Sequence, residues 1–329
     1  MKKRILSGMR PTGKLHLGHY WGVLQNWVAL QDEYDCFFMV ADWHALTSEW
    51  KKSGAIPGNV REVAADWIAA GVDPEKSCVF VQSEVPEHLE LNMILSCITP
   101  LGWLERVPSY KEAREQLADK GVDNYAFLGY PVLQAADILL YKGNVVPVGE
   151  DQLPHLELTR EIVRKFHSYY GEGVFPEPAG KLTQTPRLMG LDNRRMSKSY
   201  GNTIDLSEDL ASVEKKVKGM FTDPNRKKRA DPGNPAVCNV FAFHGMLNAK
   251  ERHAQIEADC KAAKIGCVDC KTELAGKMLD WLRPIQERRQ ALLADPAKLD
   301  AILARGNEKA RAIARATMKE VREAVFKVR

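Results

Sequence analysis

Short apolar runs alternate with helix-like segments through the first half of the chain, and this alternation restricts the folds it can adopt. The runs are typical of buried strands and lie at residues 4–9, 36–42, 78–83 and 144–149. Between them, apolar residues recur at helical spacing, as in residues 18–31 and 61–71. Continuous apolar strands separated by helices favour a parallel sheet with helices on both faces. The sequence therefore predicts an α/β domain.

The remainder of the chain has a different pattern. Residues 85–140 have mostly helical spacing, and no convincing strand follows residue 205. A length of 329 residues is typical of about two domains. We therefore expect an α/β domain at 1–204 and an all-helical domain at 205–329, entered through the proline- and glycine-rich loop 222–236.

Composition indicates a globular protein that is neither exported nor embedded in a membrane. The chain is 45% hydrophobic and 27% charged. The apolar stretch after the first lysines is interrupted at Ser7 and Gly8, and no run approaches the roughly 18 apolar residues of a membrane span. We therefore expect a cytoplasmic protein, in which thiols stay reduced.

The net charge of +4 is small, but basic residues are grouped in two places. One group is the run Arg226 to Arg229, and the other is the last 25 residues. A basic run is usually a solvated surface, and binding to an RNA backbone is the functional explanation. Composition alone leaves both open.

The first strand leads into the stretch "SGMRPTGKLHLGHYWG", where a helix is predicted to begin near His16. Ligands of open parallel sheets lie beyond the carboxyl ends of strands, and helix N-termini attract phosphate. His16 and His19 fall on one face of the first turn, within reach of a polyphosphate, and Gly18 leaves room for a flat base. The pair could equally be two ordinary polar residues that cap a helix.

A second polar loop, "NRRMSKSYGN", occupies residues 193–202. With the histidine turn, in this order, it resembles the paired signatures of class I aminoacyl-tRNA synthetases. The resemblance implies attack of an amino-acid carboxylate on the α-phosphate of ATP, with Mg²⁺ on the departing phosphates. His16, His19 and Lys198 are the residues expected to stabilise the developing charge. Arg195 stands where the family's loop usually begins with lysine, so we expect it only to support Lys198.

Amino-acid specificity is expected in residues 130–162. Tyr130, Gln134 and Asp137 fall on one face of a predicted helix at 130–141 and are surrounded by apolar residues. An indole N–H needs an acceptor such as the carboxylate of Asp137. A tyrosine hydroxyl could use the same carboxylate. This residue therefore does not distinguish a tryptophan substrate from a tyrosine substrate.

Further stretches make the resemblance more specific. "VADWHALT", "FVQSEVPEH", "AADILLY", "RMSKS" and "LRPIQERR" resemble bacterial tryptophanyl-tRNA synthetases in the right order from end to end. The resemblance implies a Rossmann-like catalytic domain, a helical dimer-interface insertion at about 80–145, and a helical anticodon-binding domain at 205–329. It also implies a homodimer that joins L-tryptophan to tRNA(Trp) through a tryptophanyl-adenylate. A tyrosine-specific enzyme, a non-catalytic RNA-binding relative and a nucleotidylyltransferase without a tRNA substrate are competing hypotheses.

The resemblance also implies roles at matching positions. Those expected around tryptophan are Asp137, Gln134, Tyr130, His44 and Gln152, with Asp137 on the indole nitrogen; many family members carry methionine at the position of Gln134. Those expected around ATP are Arg10, Pro11, Thr12, Gly18, His19, Gly149, Glu150, Asp151, Leu188, Arg195, Met196, Ser197, Lys198 and Ser199.

Four of the seven cysteines are close in sequence, with the spacing C-x21-C-x6-C-x2-C: Cys238, Cys260, Cys267 and Cys270. In a reducing compartment, four such thiols favour a closed tetrahedral metal site, and the spacing suits zinc as readily as iron–sulfur. The chain resembles a subset of bacterial tryptophanyl enzymes in which these cysteines hold a [4Fe-4S] cluster, and this resemblance favours iron–sulfur over zinc. The remaining three cysteines, Cys36, Cys78 and Cys97, are expected to be buried in apolar segments.

Overall fold

The computed structural model describes residues 2–107, 123–182 and 188–327, which form two compact units. Unit 1 contains the described residues of Met1–Gly13, Asn26–Thr185 and Asp295–Arg329. Unit 2 contains those of Lys14–Gln25 and Pro186–Ala294. These units do not follow the predicted boundary at residue 204, because the histidine turn groups with the later helices and the C-terminal helix groups with the sheet.

Unit 1 is built on a five-stranded parallel sheet, which confirms the predicted α/β class. Its strands are β1 (Arg4–Met9), β2 (Asp35–Val40), β3 (Cys78–Val81), β4 (Val145–Val148) and β5 (Ala179–Leu182). The strand order is β3-β2-β1-β4-β5. The sequence pattern predicts β1 to β4. It misses β5, because this strand is mostly exposed and contains Gly180.

Helices connect and follow the strands. In chain order they are α1 (Leu17–His19), α2 (Gln25–Leu30), α3 (Asp42–Glu49), α4 (Ile56–Ala69), α5 (Glu87–Ile98), α6 (Leu101–Glu105), α7 (Tyr125–Leu140), α8 (Leu153–Tyr170), α9 (Leu210–Gly219), α10 (Asn239–Leu247), α11 (Lys250–Lys261), α12 (Cys267–Ala294) and α13 (Pro296–Phe326). A π-helical turn at Tyr20–Leu24 joins α1 to α2. None of these helices is both long and apolar enough to cross a membrane. The predicted insertion at about 80–145 lies partly outside the described residues.

Within unit 1, the long helix α13 packs on the edge strand β3. A Cβ atom at Gly306 would lie 1.8 Å from the carbonyl oxygen of Val79, so only glycine permits this approach. The next residue, Asn307, accepts a hydrogen bond of 2.9 Å from the backbone N–H of Val81 through Oδ1. The helix therefore covers the sheet edge and satisfies one of its free donors.

Within unit 2, aromatic packing anchors the segment 14–25 to the later helices. Trp21 stacks on Trp281 with ring centroids 5.0 Å apart, and Trp21 and Phe243 form a T-shaped pair with ring centroids 6.0 Å apart. Two backbone hydrogen bonds add to this, from Leu17 N to Ile204 O and from Leu206 N to Leu15 O. The histidine turn is therefore held by the same unit as the Met-Ser-Lys-Ser loop.

Candidate functional site

The order of strands predicts where on the unit 1 sheet a ligand would bind. The chain runs from β1 to β3 on one side and continues on the other side with β4 and β5, so the order reverses between β1 and β4. Ligands of such sheets bind beyond the carboxyl ends of the strands at this reversal. Arg10, Pro11 and Thr12 follow β1, and Gly149, Glu150 and Asp151 follow β4. The residues predicted to contact the nucleotide therefore directly follow the carboxyl ends of these two strands.

Asp137 lies at the centre of a buried polar network in unit 1. Its side chain is almost fully buried on α7, where the neighbouring residues are apolar. Its Oδ2 lies 2.7 Å from Nε2 of His44. Its Oδ1 accepts from Nε2 of Gln82 at 2.8 Å and from Nδ1 of His88 at 2.6 Å. A carboxylate with this many donors stays ionised despite its burial.

The electrostatics of Asp137 support this conclusion. Burial alone would raise the pKa of the carboxyl group, but the hydrogen bonds and charges of His44 and His88 outweigh it and lower the pKa to about 2. Beyond Nδ1 of His88, its Nε2 lies 2.8 Å from the hydroxyl of Tyr141. Burial and the nearby Asp137 raise the pKa of Tyr141 well above its ordinary value, so its hydroxyl keeps its proton.

Gln82, His88 and Tyr141 have no role predicted from the sequence. Gln82 and His88 lie in the stretch "FVQSEVPEH", which resembles the family, but nothing in their spacing links them to a residue about 50 positions later. Only the fold brings them to Asp137. The resemblance of the stretch was the single signal by which they could have been found.

The remaining residues predicted around tryptophan lie in different surroundings. The hydroxyl of Tyr130 lies 3.3 Å from Nε2 of His155, which the sequence pattern also missed. Gln134 is half-buried on the same helix. Gln152 donates to Oδ2 of Asp151 at 3.0 Å. The structure thus brings His44 into direct contact with Asp137 and places Gln152 beside a predicted nucleotide residue.

In unit 2, His16 and His19 form a reciprocal cap at the start of α1. Nδ1 of His16 accepts from the backbone N–H of Gly18, and Nδ1 of His19 accepts from the backbone N–H of His16, both at 3.1 Å. The interpretation as a helix cap is therefore correct for these two nitrogens. A neutral ring whose Nδ1 accepts carries its proton on Nε2, so each histidine retains one donor for a ligand.

Both imidazoles are held in the neutral form. Burial and then the charge of Lys198 lower the pKa of His16 to about 4. Burial, then His16 and Lys198, lower the pKa of His19 to about 3. Gly18 fits closely against this pair, since a Cβ atom there would lie 2.9 Å from the ring of His16. The turn is therefore a donor of N–H groups and Lys198 is the nearby positive charge.

The Met-Ser-Lys-Ser loop is organised by Asn202, a residue to which the sequence pattern gave no role. Its Oδ1 accepts from the backbone N–H of Ser197 at 2.8 Å, and its Nδ2 donates to the carbonyl of Arg195 at 3.1 Å. Met196 is buried and its N–H donates to the carbonyl of Leu188. Lys198 and Arg195 are exposed. The side chain of Ser199 lies outside the described part of the chain.

The four clustered cysteines lie in unit 2 close enough to influence one another. Burial first, then the charges of Cys238, Cys260, Glu273 and Cys267, raises the pKa of Cys270 to about 12. Nη1 of Arg226 lies 3.8 Å from the sulfurs of both Cys260 and Cys267. Among the residues that the structure describes, no group of three or more His, Cys, Asp or Glu side chains is arranged to hold a metal ion. The cluster therefore stays a prediction.

Cys36, Cys78 and Cys97, outside this group, were expected to be buried. Cys36 and Cys78 are buried, as predicted, but Cys97 is exposed and this prediction was wrong. Cys97 lies near the end of α5, whose buried positions include Leu91 and Leu95. The apolar character of the segment did not reveal that position 97 faces away from them.

Comparisons with known proteins agree with the fold and the motifs. The sequence profile of the family described as tRNA synthetases class I (W and Y) matches residues 1–282. The tryptophan–tRNA ligase of Thermotoga maritima is 49% identical and that of Ralstonia nicotianae is 44% identical, each over 98% of this chain and 98% of the relative.

Solved structures show the same relation. The crystal structure of tryptophanyl-tRNA synthetase from Campylobacter jejuni, complexed with ADP and tryptophan, superposes with a TM-score of 0.90 at 33% identity. It covers 98% of this chain and 99% of its own. The tyrosyl-tRNA synthetase of Archaeoglobus fulgidus shares the fold, with a TM-score of 0.68 at 21% identity over 88% of this chain and 90% of its own. The chain therefore belongs to the class I tryptophanyl-tRNA synthetases.

Proposed function

We propose that the chain is a tryptophan–tRNA ligase, which activates L-tryptophan with ATP and transfers it to the 3′ end of tRNA(Trp). The buried, ionised Asp137 carries this proposal, because it offers an acceptor to an indole N–H within an apolar core. The full-length identity to tryptophan–tRNA ligases supports it.

In the first reaction, the tryptophan carboxylate attacks the α-phosphorus of ATP and the bond to the pyrophosphate oxygen breaks. The protein supplies positioning and charge stabilisation and no covalent nucleophile. We assign the charge-stabilising role to Lys198 and to the Nε2–H groups of His16 and His19. Mg²⁺ would neutralise charge on the departing pyrophosphate.

The positions already described support the nucleotide contacts that we assign. In unit 1, we assign ATP contacts to Arg10, Pro11 and Thr12 after β1 and to Gly149, Glu150 and Asp151 after β4. In unit 2, we assign them to Gly18, Leu188 and the loop 195–199. Beside Asp137, we assign tryptophan contacts to His44, Tyr130, Gln134 and Gln152.

Pyrophosphate exchange tests the amino-acid specificity. We expect ATP–pyrophosphate exchange that depends on tryptophan, whereas exchange with tyrosine alone would contradict the proposal and favour a tyrosine-specific enzyme. Charging of tRNA(Trp) distinguishes a ligase from an RNA-binding relative and from a nucleotidylyltransferase. A wild-type protein that binds tRNA without charging it would be a binding module, and adenylate transfer without any tRNA product would indicate a nucleotidylyltransferase.

We further propose that Cys238, Cys260, Cys267 and Cys270 hold a [4Fe-4S] cluster, with zinc as the second candidate. The four cysteines lie close together, since, besides burial, the charges of Cys238, Cys260 and Cys267 help to raise the pKa of Cys270 and Nη1 of Arg226 lies 3.8 Å from the sulfurs of both Cys260 and Cys267; this proximity supports the proposal. The cluster would have a structural role, since aminoacylation contains no redox step. Anaerobically purified protein should contain about four iron and four sulfide per chain. Stoichiometric zinc without sulfide would contradict the cluster.

The remaining proposals concern partners. Residues 205–329 would read the anticodon of tRNA(Trp), and the basic groups at Arg226–Arg229 and in the last 25 residues would contact its phosphates. Two copies of the chain would form a homodimer through residues 80–145. Sedimentation at micromolar concentration should give twice the chain mass of 36.9 kDa, and a monomer would refute this.

A further inference from the structure

The hydrogen bonds of Asp137 distinguish its two carboxylate oxygens. A carboxylate offers about four lone-pair positions, two on each oxygen. Oδ1 accepts from Gln82 at 2.8 Å and from His88 at 2.6 Å, which uses both of its positions. Oδ2 accepts from His44 alone among the described residues, at 2.7 Å. The remaining position for a substrate N–H is therefore on Oδ2.

His88 has the contacts needed to fix this arrangement. It is fully buried, and it stacks on the ring of Phe80 with centroids 6.1 Å apart. Since a carboxylate only accepts, Nδ1 of His88 donates to Asp137. Nε2 of His88 lies 2.8 Å from the hydroxyl of Tyr141, which is also fully buried. The ring is held at both nitrogens, so it cannot turn away without leaving two buried groups unpaired.

We propose that His88 is a positioning residue for tryptophan recognition: it saturates Oδ1 of Asp137 and thereby keeps Oδ2 directed at the indole N–H. Tyr141 fixes the ring of His88 and acts through it. This inference rests on the proposed function, since it deepens the recognition of tryptophan at the same site.

The positioning of Asp137 by His88 should affect the preference between two ligands more than the affinity for both of them. A site built around a buried acceptor rejects a ligand that lacks the matching donor, because the acceptor is then left unpaired. If the carboxylate can rotate and pair elsewhere, that penalty falls. Loss of His88 should therefore weaken the discrimination between tryptophan and an isosteric analogue without the N–H group.

The test compares L-tryptophan with L-3-(benzothiophen-3-yl)alanine, in which sulfur replaces the indole N–H. Equilibrium dialysis without ATP gives the dissociation constants of both ligands for the wild type, His88→Leu and His88→Asn. Asparagine can place its amide nitrogen near the position of Nδ1, so it retains the donor to Asp137 and removes the contact to Tyr141. His167→Leu is the matched control, because His167 lies on α8 and has no hydrogen bond to Asp137.

We expect the wild type to prefer tryptophan by tenfold or more, and His88→Leu to reduce this preference about tenfold, equivalent to about 1.4 kcal/mol. His88→Asn should reduce it about threefold or less, and His167→Leu should leave it unchanged. If His88→Leu weakens the affinity for both ligands equally, so that the ratio of the two dissociation constants is unchanged, the positioning role is refuted.

Two further outcomes separate this inference from the proposed function. A wild type that shows the preference in dialysis but no pyrophosphate exchange would overturn the ligase proposal and leave the role of His88 supported. A wild type without preference for tryptophan would overturn the inference. If His88→Leu does not fold, Tyr141→Phe is measured instead. We expect it to reduce the preference for tryptophan over the analogue about threefold, and an unchanged preference would refute the inference.

Discussion

The Asp137 network of unit 1 and the histidine turn with its loop in unit 2 handle charge in opposite ways. Asp137 is buried and ionised, and four side chains, Gln82, His44, His88 and Tyr141, hold it directly or through one another. His16 and His19 are neutral, and the positive charge of Lys198 is exposed. The hydrogen-bond partners of the two histidine rings are backbone N–H groups. Side-chain partners on several elements suit selection of one ligand, whereas backbone caps beside an exposed lysine suit charge stabilisation during a reaction.

Lys198→Ala should give the largest effect and tests whether the region in unit 2 stabilises charge during the reaction. Loss of one such group from a transition state costs about 10²–10³ in kcat. We expect a fall of this size in pyrophosphate exchange, with the dissociation constant of tryptophan changed less than twofold. Lys218→Ala is the control, since Lys218 pairs with Glu214 on the surface of α9. A fall in tryptophan affinity equal to that in kcat would refute the assignment of ligand selection to the Asp137 network and of charge stabilisation to Lys198.

Asp137→Asn should give the next largest effect, on the selecting side. The amide cannot accept from His44, His88 and Gln82 as the carboxylate does, and the removal of one partner from buried charged hydrogen bonds costs about 1.5–3 kcal/mol. We expect kcat/KM for tryptophan to fall about 100-fold through KM, with KM for ATP changed less than threefold. Glu177→Gln, at an exposed pair with Arg164, controls for loss of a carboxylate. A loss expressed only in kcat would contradict this expectation.

These two regions also differ in how far the sequence could predict them. Asp137 is a polar residue on an apolar helix, and its local pattern predicts a recognition role for it. Its partners Gln82 and His88 come from a different part of the chain, so no periodicity could connect them. The histidine cap is local, and capping of a helix was one of the two interpretations that the sequence left open for this pair.

The same distinction between local and long-range contacts holds for the fold. Strands β2, β3 and β4 are mostly buried and apolar, and β1 buries Ile5 and Leu6, so their pattern was sufficient. The exposed strand β5 has no such pattern, and the grouping of α13 with the sheet depends on the approach of Gly306 to Val79, which an amphipathic helix pattern does not encode. Contacts between distant segments were the part that sequence reasoning could not supply.

Asn202→Ala should have a smaller effect than either direct contact. Asn202 holds the loop through Ser197 and Arg195 and is not among the residues to which we assign a ligand contact, so its loss should reduce the fraction of correctly formed loop. We expect kcat in pyrophosphate exchange to fall about tenfold, with more rapid proteolysis at residues 193–202. Asn202→Asp retains one acceptor for Ser197 and should recover part of the activity. Full activity of Asn202→Ala would show that the loop does not depend on this side chain.

Acid stability should give the smallest effect and sharpen the comparison of the two regions. Burial and Lys198 lower the folded-state pKa of His16 from 6.5 to about 4, so the unfolded chain binds more protons between these values. The contribution of the neutral ring is complete above about pH 6.5 and is lost as the pH falls through 4. For Asp137, with a pKa lowered from 3.8 to about 2, the corresponding loss begins only below pH 3.8.

Urea unfolding at pH 7 and pH 5 measures this difference. The wild type should lose stability over this interval, and His16→Asn should lose less by about 1 kcal/mol, because asparagine keeps a capping acceptor without the titrating ring. Asp137→Asn should show the same change between the two pH values as the wild type, although its stability is lower at both. If His16→Asn loses as much as the wild type, the neutral imidazole is not what makes this turn sensitive to acid.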